Sequence, residues 1–181
     1  MLAINIRLAK NKVMIFNHGL GDKDEQLLFS ENNINIGASG FCVGDFRKNM
    51  SGGLVLPLKK IDGLDLCGSG VDLLKIDVEG FEERVILGAS ETIKKHRPVI
   101  IFEQNKSEFF NGTSRTIDLI KSFGYDFYSL RTNWYFGEHL LLKALSLIVR
   151  SVVGDRVIIE AEEKFKHKNH LMIIAVPWGL G

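Results

Sequence analysis

Two apolar runs with polar ends most constrain how this chain can fold. The first covers residues 71–80, VDLLKIDVEG, and the second covers residues 99–105, VIIFEQN. Near-continuous apolar runs of this length are typical of strands in a parallel sheet that is covered on both faces. Ligands bind beyond the carboxyl ends of such strands. We therefore expect the polar side chains that end the two runs to share one edge of the sheet. These residues are Asp77, Glu79, Glu103 and Asn105.

The residues between the two runs have the pattern of an amphipathic helix. Apolar side chains recur there mostly three and four positions apart, which places them on one stripe. They are Phe81, Val85, Ile86, Ala89 and Ile93. Gly88 weakens this helix, and Ser90 is a candidate N-cap for a second helix that runs to His96. The order strand, helix, strand predicts a parallel, right-handed crossover.

Shorter apolar runs predict the other elements. Strands are expected at residues 13–16, 27–29, 54–58, 125–130 and 171–176, and a short turn or helix at 61–66. The strand at 27–29 is expected to be antiparallel. Residues 4–8 suit the end of a helix or a strand, and residues 32–53, rich in Gly, Ser and Asn, predict a loop. Ser114 is a candidate N-cap for a helix that Gly124 ends.

The composition describes one ordinary globular domain and excludes several classes of function. The 181 residues are 45% hydrophobic and carry a formal net charge of +1. This charge provides no global field that would attract nucleic acid or an anionic membrane. Cys42 and Cys67 form neither a CxxC motif nor a zinc site, which fits a reduced cytoplasm. The first residues lack the charge order of a signal peptide, so we expect a cytoplasmic protein.

Residues 138–153 are mostly apolar, and they raise the question of a membrane segment. Lys143 and Arg150 interrupt them, and a spanning helix needs about 20 predominantly apolar residues. The charges do not form the broad basic face of a membrane-surface helix. We therefore predict no membrane span and expect a buried or partner-facing helix at 138–153.

The motif around residues 71–105 carries a family resemblance. The run VDLLKIDVEGFEERVILGA, followed by RPVIIFEQN and preceded by NIRLAKNKVMIFNHGLGD, resembles the FkbM family of S-adenosylmethionine-dependent methyltransferases. KIDVEGFE is its most specific part, because it combines a strand end, two spaced acids and a glycine in fixed order. The resemblance covers residues 5–105 best, with a looser match at 124–128 and 171–176. It implies a class I methyltransferase fold, Rossmann-like α/β with a mostly parallel seven-stranded sheet and helices on both sides. It also implies O-methylation of a hydroxyl on a sugar or secondary metabolite.

The chain departs from this family at the glycine-rich turn for the cofactor. Such enzymes begin with a strand and a glycine-rich turn that receives the methionine part, then a second strand ending in an acid that holds the ribose. The glycine clusters at 37–40 and 68–70 end no strong apolar strand, and we interpret them as loops. We therefore expect residues 1–181 to form a single, N-terminally truncated methyltransferase domain. Without the first two strands, the strand at 13–16 and the one at 71–76 would lie roughly 14 Å apart.

The resemblance implies roles for several residues. Asp77 lies where class I methyltransferases place a residue near the transferred methyl group. We expect a partly buried carboxylate there that orients or deprotonates the acceptor hydroxyl. Glu79 and Glu103 compete for this role, and Glu79 could instead stabilise the dipole of the next helix. Asn17 and His18 would lie near the adenine, although a lone histidine in a turn is more often an exposed or satisfied residue.

Two other functions stay open at this point. The chain could be a non-catalytic remnant or binding module of the same fold that docks on a partner through residues 138–153. Metal-assisted hydrolysis by the acids at the strand ends needs more oxygen ligands than Asp77, Glu79 and Glu103 supply, so we predict no metal site. His167 and His170 have ligand-like spacing, but neighbouring lysines favour a solvated hairpin turn. The expected ligands are S-adenosylmethionine and a small-molecule or glycan hydroxyl acceptor.

Overall fold

The computed structural model describes residues 13–30, 40–41, 54–66, 70–78, 80–132 and 157–179. The strands in these ranges are β1 (Gly19–Leu20), β2 (Glu25–Ser30), β3 (Gly40–Phe41), β4 (Leu54–Lys59), β5 (Leu73–Ile76), β6 (Val99–Gln104), β7 (Tyr125–Thr132), β8 (Val157–Ala161) and β9 (His170–Pro177). The α-helices are α1 (Glu82–Leu87), α2 (Ser90–His96) and α3 (Arg115–Ser122), and 3₁₀ helices cover Ile61–Gly63 and Lys106–Glu108. Of the helices in the described ranges, none has the length and apolarity to cross a membrane.

The strands form two mixed sheets, so the prediction of a mostly parallel sheet is wrong. In the four-stranded sheet the order is β1-β4-β2-β3, with β1 parallel to β4 and the other pairs antiparallel. In the five-stranded sheet the order is β5-β6-β9-β7-β8, and only β5 and β6 are parallel. The mixture arises because β9 enters between β6 and β7 and runs opposite to both. The α/β class itself is observed.

The parallel crossover from β5 to β6 is confirmed. Leu73 pairs with Val99 and Ile76 pairs with Phe102 in parallel register. Local apolar periodicity was sufficient to predict this unit, because both strands and the helical stripe between them are continuous in sequence.

The helical segment of the crossover is divided into α1 and α2 at Gly88. The prediction that Ser90 caps the second helix is wrong, because Ala89 occupies the N-cap position. The Ser90 hydroxyl instead donates to the carbonyl of Leu87 at 2.7 Å. The N–H groups of Glu91 and Thr92 donate to the carboxylate of Asp62 at 3.1 and 2.8 Å. A distant side chain therefore satisfies this helix terminus.

The core lies between one face of the five-stranded sheet and the three helices. Its buried residues include Ile76, Val85, Ile86, Ile93, Ile100, Phe102, Ile117, Ile120, Ile173 and Ala175. Within the described sheet β5 is an edge strand, and Leu73 is 56% exposed whereas Ile76 is 3% exposed. The prediction that this strand is buried on both faces is therefore wrong. Each buried aliphatic side chain contributes about 1.5–3 kcal/mol.

Both predicted ends of helix α3 are confirmed. The Ser114 hydroxyl accepts from the N–H of Ile117 at 3.2 Å, which is the geometry of an N-cap. Gly124 follows the helix with φ +80°, a left-handed conformation that favours glycine. Arg97 reaches this end of the helix and donates to the carbonyls of Phe123 and Gly124.

The four-stranded sheet contacts α1 through a cluster of charged side chains. Arg84 of α1 donates to Asp22 and Glu25, which lie in the connection after β1 and at the start of β2. Lys23 also contacts the Glu25 carboxylate, at 3.2 Å. The guanidinium of Arg84 holds the pKa of Glu25 below its ordinary value, against the opposite effect of burial. This cluster links the two sheets through a helix that belongs to the larger one.

The N-terminal strand lies later in the chain than predicted. Residues 13–16 are 41–54% exposed and form no strand. Pairing with β4 is instead limited to Gly19 and Leu20, opposite Leu58 and Lys59. The preceding residue of β4, Pro57, has no N–H to donate, which explains why the pairing starts only after it.

Several other predictions meet a clear outcome. The antiparallel strand predicted at 27–29 is confirmed as β2, and the strand at 54–58 is confirmed as β4. The strands at 125–130 and 171–176 are confirmed as β7 and β9. The short helix predicted at 61–66 is confirmed as Ile61–Gly63. Gly40–Phe41 forms a strand inside the predicted loop, and β8 was missed although its β-branched run is typical of a strand. The hairpin turn predicted around His167 and His170 is not formed, because β8 and β9 both pair with β7 and not with each other. Residues 4–8 and 138–153 lie outside the described residues.

Candidate active site

The carboxyl ends of β5 and β6 lie side by side, as the sequence indicated. Ile76 is opposite Phe102 in the parallel register, so the next residues, Asp77 and Glu103, occupy neighbouring positions at the same edge. Glu79 lies outside the described residues. This edge is where open α/β sheets bind ligands, and the strands position two of the three predicted acids there.

Asp77 is exposed rather than partly buried. Its carboxylate forms an ion pair with Lys75, with 3.0 Å between Nζ and Oδ2, and its side chain is 49% exposed. The expectation of a partly buried Asp77 is therefore wrong. The physical reason is that β5 is an edge strand, so its end is open to solvent. Asp77 remains accessible to an incoming polar ligand.

Glu103 and Gln104 point to opposite faces of β6, because successive side chains alternate across a strand. Glu103 is half-buried, on the face of Ile101. Gln104 is 3% exposed and shares the buried face with Ile100 and Phe102. The helices pack on that second face, so Gln104 rather than Glu103 is directed toward them.

A cleft of about 500 Å³ opens on this helical face, next to the strand ends. Its lining residues come from the turn after β5, the end of β6, the connection 105–114 and the start of α3. They include Gly80, Glu82, Glu83, Gln104, Glu108, Phe110, Thr113, Ser114, Arg115 and Asp118. Sites for small molecules typically measure about 300–1,000 Å³. The cleft therefore has the volume and the position of a ligand site.

A chain of hydrogen bonds holds Gln104 in this cleft. The Ser114 hydroxyl donates to Gln104 Oε1 at 2.9 Å while accepting from the Ile117 N–H. Because its oxygen is bonded to Ser114, the side chain presents its amide nitrogen as a donor. One residue thus caps α3 and orients a buried amide at the end of β6.

The turn between β5 and α1 lines the cleft through Gly80. Gly80 adopts φ +91°, and its N–H donates to Glu82 Oε1 at 3.2 Å. Glu82 is 3% exposed although it carries a carboxylate. The turn is therefore fixed by a buried acid, which stabilises the start of α1 next to the strand end.

The predicted cofactor contacts, Asn17 and His18, lie directly before β1 of the four-stranded sheet. Asn17 is exposed and His18 is half-buried, with Nδ1 3.1 Å from the carbonyl oxygen of Gly19. Both precede β1 instead of ending a strand, and neither lines the cleft. Their role as cofactor contacts stays a prediction.

Among the residues that the structure describes, no three His, Cys, Asp or Glu side chains are placed to hold a metal ion. His167 is exposed, whereas His170 is buried between the rings of Phe109 and Phe165, with both ring centroids at 5.2 Å. Its Nε2 lies 3.0 Å from the carbonyl oxygen of Lys166. The two histidines therefore differ in environment, and His170 belongs to the core.

Sequence reasoning gave a catalytic or binding role to none of the residues that line the cleft, and Gln104 and Phe110 are two examples. Gln104 lies at the polar end of an apolar run, and alternation from Ile100 and Phe102 places it on their face. Phe110 follows the second strand in the connection before Ser114, and no periodic pattern includes it. The alternation of side chains along the strand could have identified Gln104, whereas no sequence pattern indicated Phe110.

The comparison with known families agrees with these features. The chain matches the family described as "Methyltransferase FkbM domain" over residues 5–127, which contains the predicted best match at 5–105 and reaches the looser match in β7. No curated protein and no solved structure gives a significant match. The matched range contains both strand ends and all the residues that form the cleft. Because the match covers more than half of the 181 residues, the chain belongs to the FkbM methyltransferase domain family.

Proposed function

We propose that this protein transfers a methyl group from S-adenosylmethionine to a hydroxyl of a small molecule or glycan. The observation that carries the proposal is the family match, which spans the adjoining ends of β5 and β6 and the cleft beside them. An open α/β sheet with a small-molecule cleft at its strand ends is a suitable place for such chemistry.

The charge of the described strand edge suits the cofactor. Asp77 and Glu103 place two carboxylates at this edge, close to where the cationic sulfonium would lie. When bound, S-adenosylmethionine supplies a methyl group on a cationic sulfonium, which departs as a neutral thioether that keeps the C–S electron pair. In our proposal Asp77 lies on the side of the transferred group, and Asn17 and His18 contact the adenine.

The residues of this chain would position the acceptor and remove its proton. The acceptor oxygen forms one new C–O bond and loses one proton, and we assign that proton to the carboxylate of Asp77. Lys75 would keep this carboxylate in place through the ion pair at 3.0 Å. Glu79 and Glu103 remain the competing bases. Positioning and proton removal are the contributions that this reaction requires from the protein.

Calorimetric titration of the folded chain with S-adenosylmethionine tests the cofactor, and methyl transfer to a panel of hydroxyl acceptors tests the reaction. Asp77→Asn should lower the transfer rate by about 10²–10⁴-fold if Asp77 is the base. Asp72→Asn is the matched control, because Asp72 is an exposed acid just before the same strand. A folded chain that binds no S-adenosylmethionine would exclude the proposal.

One observation favours a second function, a non-catalytic module that binds a partner. Val13, Met14, Ile15 and Phe16 are consecutive apolar residues, each more than 40% exposed. An exposed apolar run of this kind is typical of a docking segment. Retention of fold without cofactor binding would support this function over methyl transfer.

A further inference from the structure

We infer that the cleft beside β6 binds the methyl acceptor and selects an acceptor that carries a protonated amine as well as hydroxyl groups. This inference rests on the proposed function, and it names the chemical class of the acceptor. Three independent features of the cleft support it: its charge, an oriented amide, and an exposed aromatic ring.

The lining of the cleft is acidic. Four of its side chains are carboxylates, and Arg115 is its one basic residue in the described part of the chain. The acids are Glu82, Glu83, Glu108 and Asp118. Asp118 also accepts from the Thr113 hydroxyl at 2.6 Å, which holds that carboxylate at the start of α3. A cleft with this excess of carboxylates attracts cations and repels phosphorylated or carboxylated ligands.

The second feature is the amide of Gln104. Its oxygen is bonded to Ser114, and no described residue accepts from its nitrogen. The residue as a whole is 3% exposed, and it lines the cleft, so its amide is approached from the cleft and not from the open surface. A ligand hydroxyl in the cleft can accept from this N–H₂ group in place of water. The amide therefore marks the position of a hydroxyl oxygen.

The third feature is the ring of Phe110. This side chain is 77% exposed although the residue lines the cleft. Its backbone is held in a tight turn by two hydrogen bonds with Thr113, at 2.9 and 3.1 Å. The ring is thus presented on a fixed turn at the mouth of an acidic cleft. An aromatic face attracts an ammonium group, so the ring and the carboxylates favour the same ligand charge.

Three monosaccharides with similar rings and different charges test the inference. Glucosamine, glucose and glucuronate are titrated separately into the ¹⁵N-labelled chain at pH 6 and low salt, without cofactor. Glucosamine should bind at least about fivefold more tightly than glucose, and glucuronate should bind least. The side-chain amide signal of Gln104, identified by its loss in Gln104→Met, should shift when glucosamine binds. Equal affinities for the three sugars, or no shift of this signal, would overturn the inference.

Two pairs of variants separate the cleft from the rest of the surface. Phe110→Ala should weaken glucosamine binding roughly two- to tenfold, as for the loss of a cation–π contact. Leu171→Ala is its control, because Leu171 is similarly exposed, at 74%, and lies outside the cleft. Glu83→Gln should weaken glucosamine binding about two- to fivefold. Glu163→Gln is its control, because Glu163 is an exposed acid outside the cleft. Equal effects of the variants and their controls would count against the cleft.

A cation in this cleft could also be the sulfonium of the cofactor, and a second titration distinguishes the two sources. S-adenosylmethionine is compared with S-adenosylhomocysteine, which lacks the methyl group and the charge. If Phe110→Ala and Glu83→Gln weaken only the binding of S-adenosylmethionine and leave glucosamine unchanged, the cleft holds the cofactor and the inference is wrong. If glucosamine binds as expected but no methyl transfer occurs, the proposed function fails while the binding site remains.

Discussion

Gly88 and Gly21 approach so closely that a β-carbon built on Gly88 would lie 1.9 Å from the carbonyl oxygen of Gly21. Gly88 caps the end of α1, and Gly21 directly follows β1. Hydrogen bonds hold the backbone at both glycines. The Gly88 carbonyl accepts from the N–H of Asp62 at 2.9 Å, and the Gly21 N–H donates to the carbonyl of Lys59 at 3.0 Å. This contact of two glycines joins the helical layer to the four-stranded sheet.

Gly88→Ala should therefore destabilise the protein, although alanine is the better helix former by about 1 kcal/mol. The clash is with a backbone oxygen that cannot rotate away, so we expect a net loss of about 1–3 kcal/mol in the free energy of unfolding. Urea denaturation measures the loss. Gly63→Ala is the control, because a β-carbon at Gly63 would have no atom within 4 Å, and this variant should change stability by no more than about 1 kcal/mol. Equal midpoints for the two variants would show that the contact relaxes easily.

The ion pair between Arg84 and Glu25 predicts a loss of stability in acid. Arg84 lowers the pKa of Glu25 below its ordinary value of 4.5 in the folded state. The stabilisation is therefore present above about pH 4.5 and is lost as the pH falls through the folded-state pKa. Both side chains remain about one fifth exposed, so we expect a contribution of about 1 kcal/mol.

Denaturation curves from pH 7 to pH 3 test this prediction in wild type, Glu25→Gln and Glu163→Gln. The Glu25→Gln protein should be less stable at pH 7 and should lose less stability on acidification than wild type. Glu163→Gln should follow wild type. A Glu25→Gln curve parallel to that of wild type would mean that this carboxylate does not couple folding to pH.

Tyr125 predicts a loss of stability at high pH. Burial raises the pKa of its phenol above the ordinary value of 10.0, although Arg97 beside the ring acts in the opposite direction. The phenol also donates to the carbonyl of Pro98 at 3.0 Å. Because the folded-state pKa is raised, this contribution is complete below pH 10 and is lost as the pH rises through the folded-state value.

Tyr125→Phe should lose about 0.5–1.5 kcal/mol at pH 7, since it removes one hydrogen bond, and it should lose less than wild type between pH 9 and pH 11. Tyr128→Phe on the same strand is the control and should change stability by less than about 0.5 kcal/mol. Absorbance at 295 nm follows tyrosine ionisation during the same titration. Ionisation of all tyrosines together in the folded protein, without unfolding, would contradict the prediction.

Ser114 should be the most sensitive serine of helix α3. Ser114→Ala removes the N-cap and also the donor to Gln104, so we expect a loss of about 1–2 kcal/mol. The control is Ser122→Ala at the other end of the helix, where an exposed hydroxyl donates to the carbonyl of Leu119, and the loss there should be below about 0.5 kcal/mol. Thermal unfolding measures both. Similar melting temperatures for the two variants would exclude the dual role of Ser114.

The correct predictions concern residues that are close together in sequence. The strand, helix and strand of the crossover need only a periodic pattern within about 35 residues, and the ends of α3 need only a hydroxyl at Ser114 and a flexible residue at Gly124. The wrong predictions concern which segments lie next to each other in the fold. An apolar run does not show which segments will cover it, and for this reason the sequence pattern predicted a strand covered on both faces, whereas β5 lies at the edge of the described sheet with Leu73 exposed.

The sequence by itself determined the family, the crossover and the placement of Asp77 and Glu103 at the carboxyl ends of two neighbouring strands. These follow from local patterns and a continuous motif. Only the tertiary structure decided that Gln104 faces a cleft, that Gly88 meets Gly21, and that β9 lies between β6 and β7. Each of these depends on contacts between segments that are far apart in the chain. The free energy of such contacts comes from packing and from the pairing of buried polar groups, and neither can be assigned before the distant partner is in place.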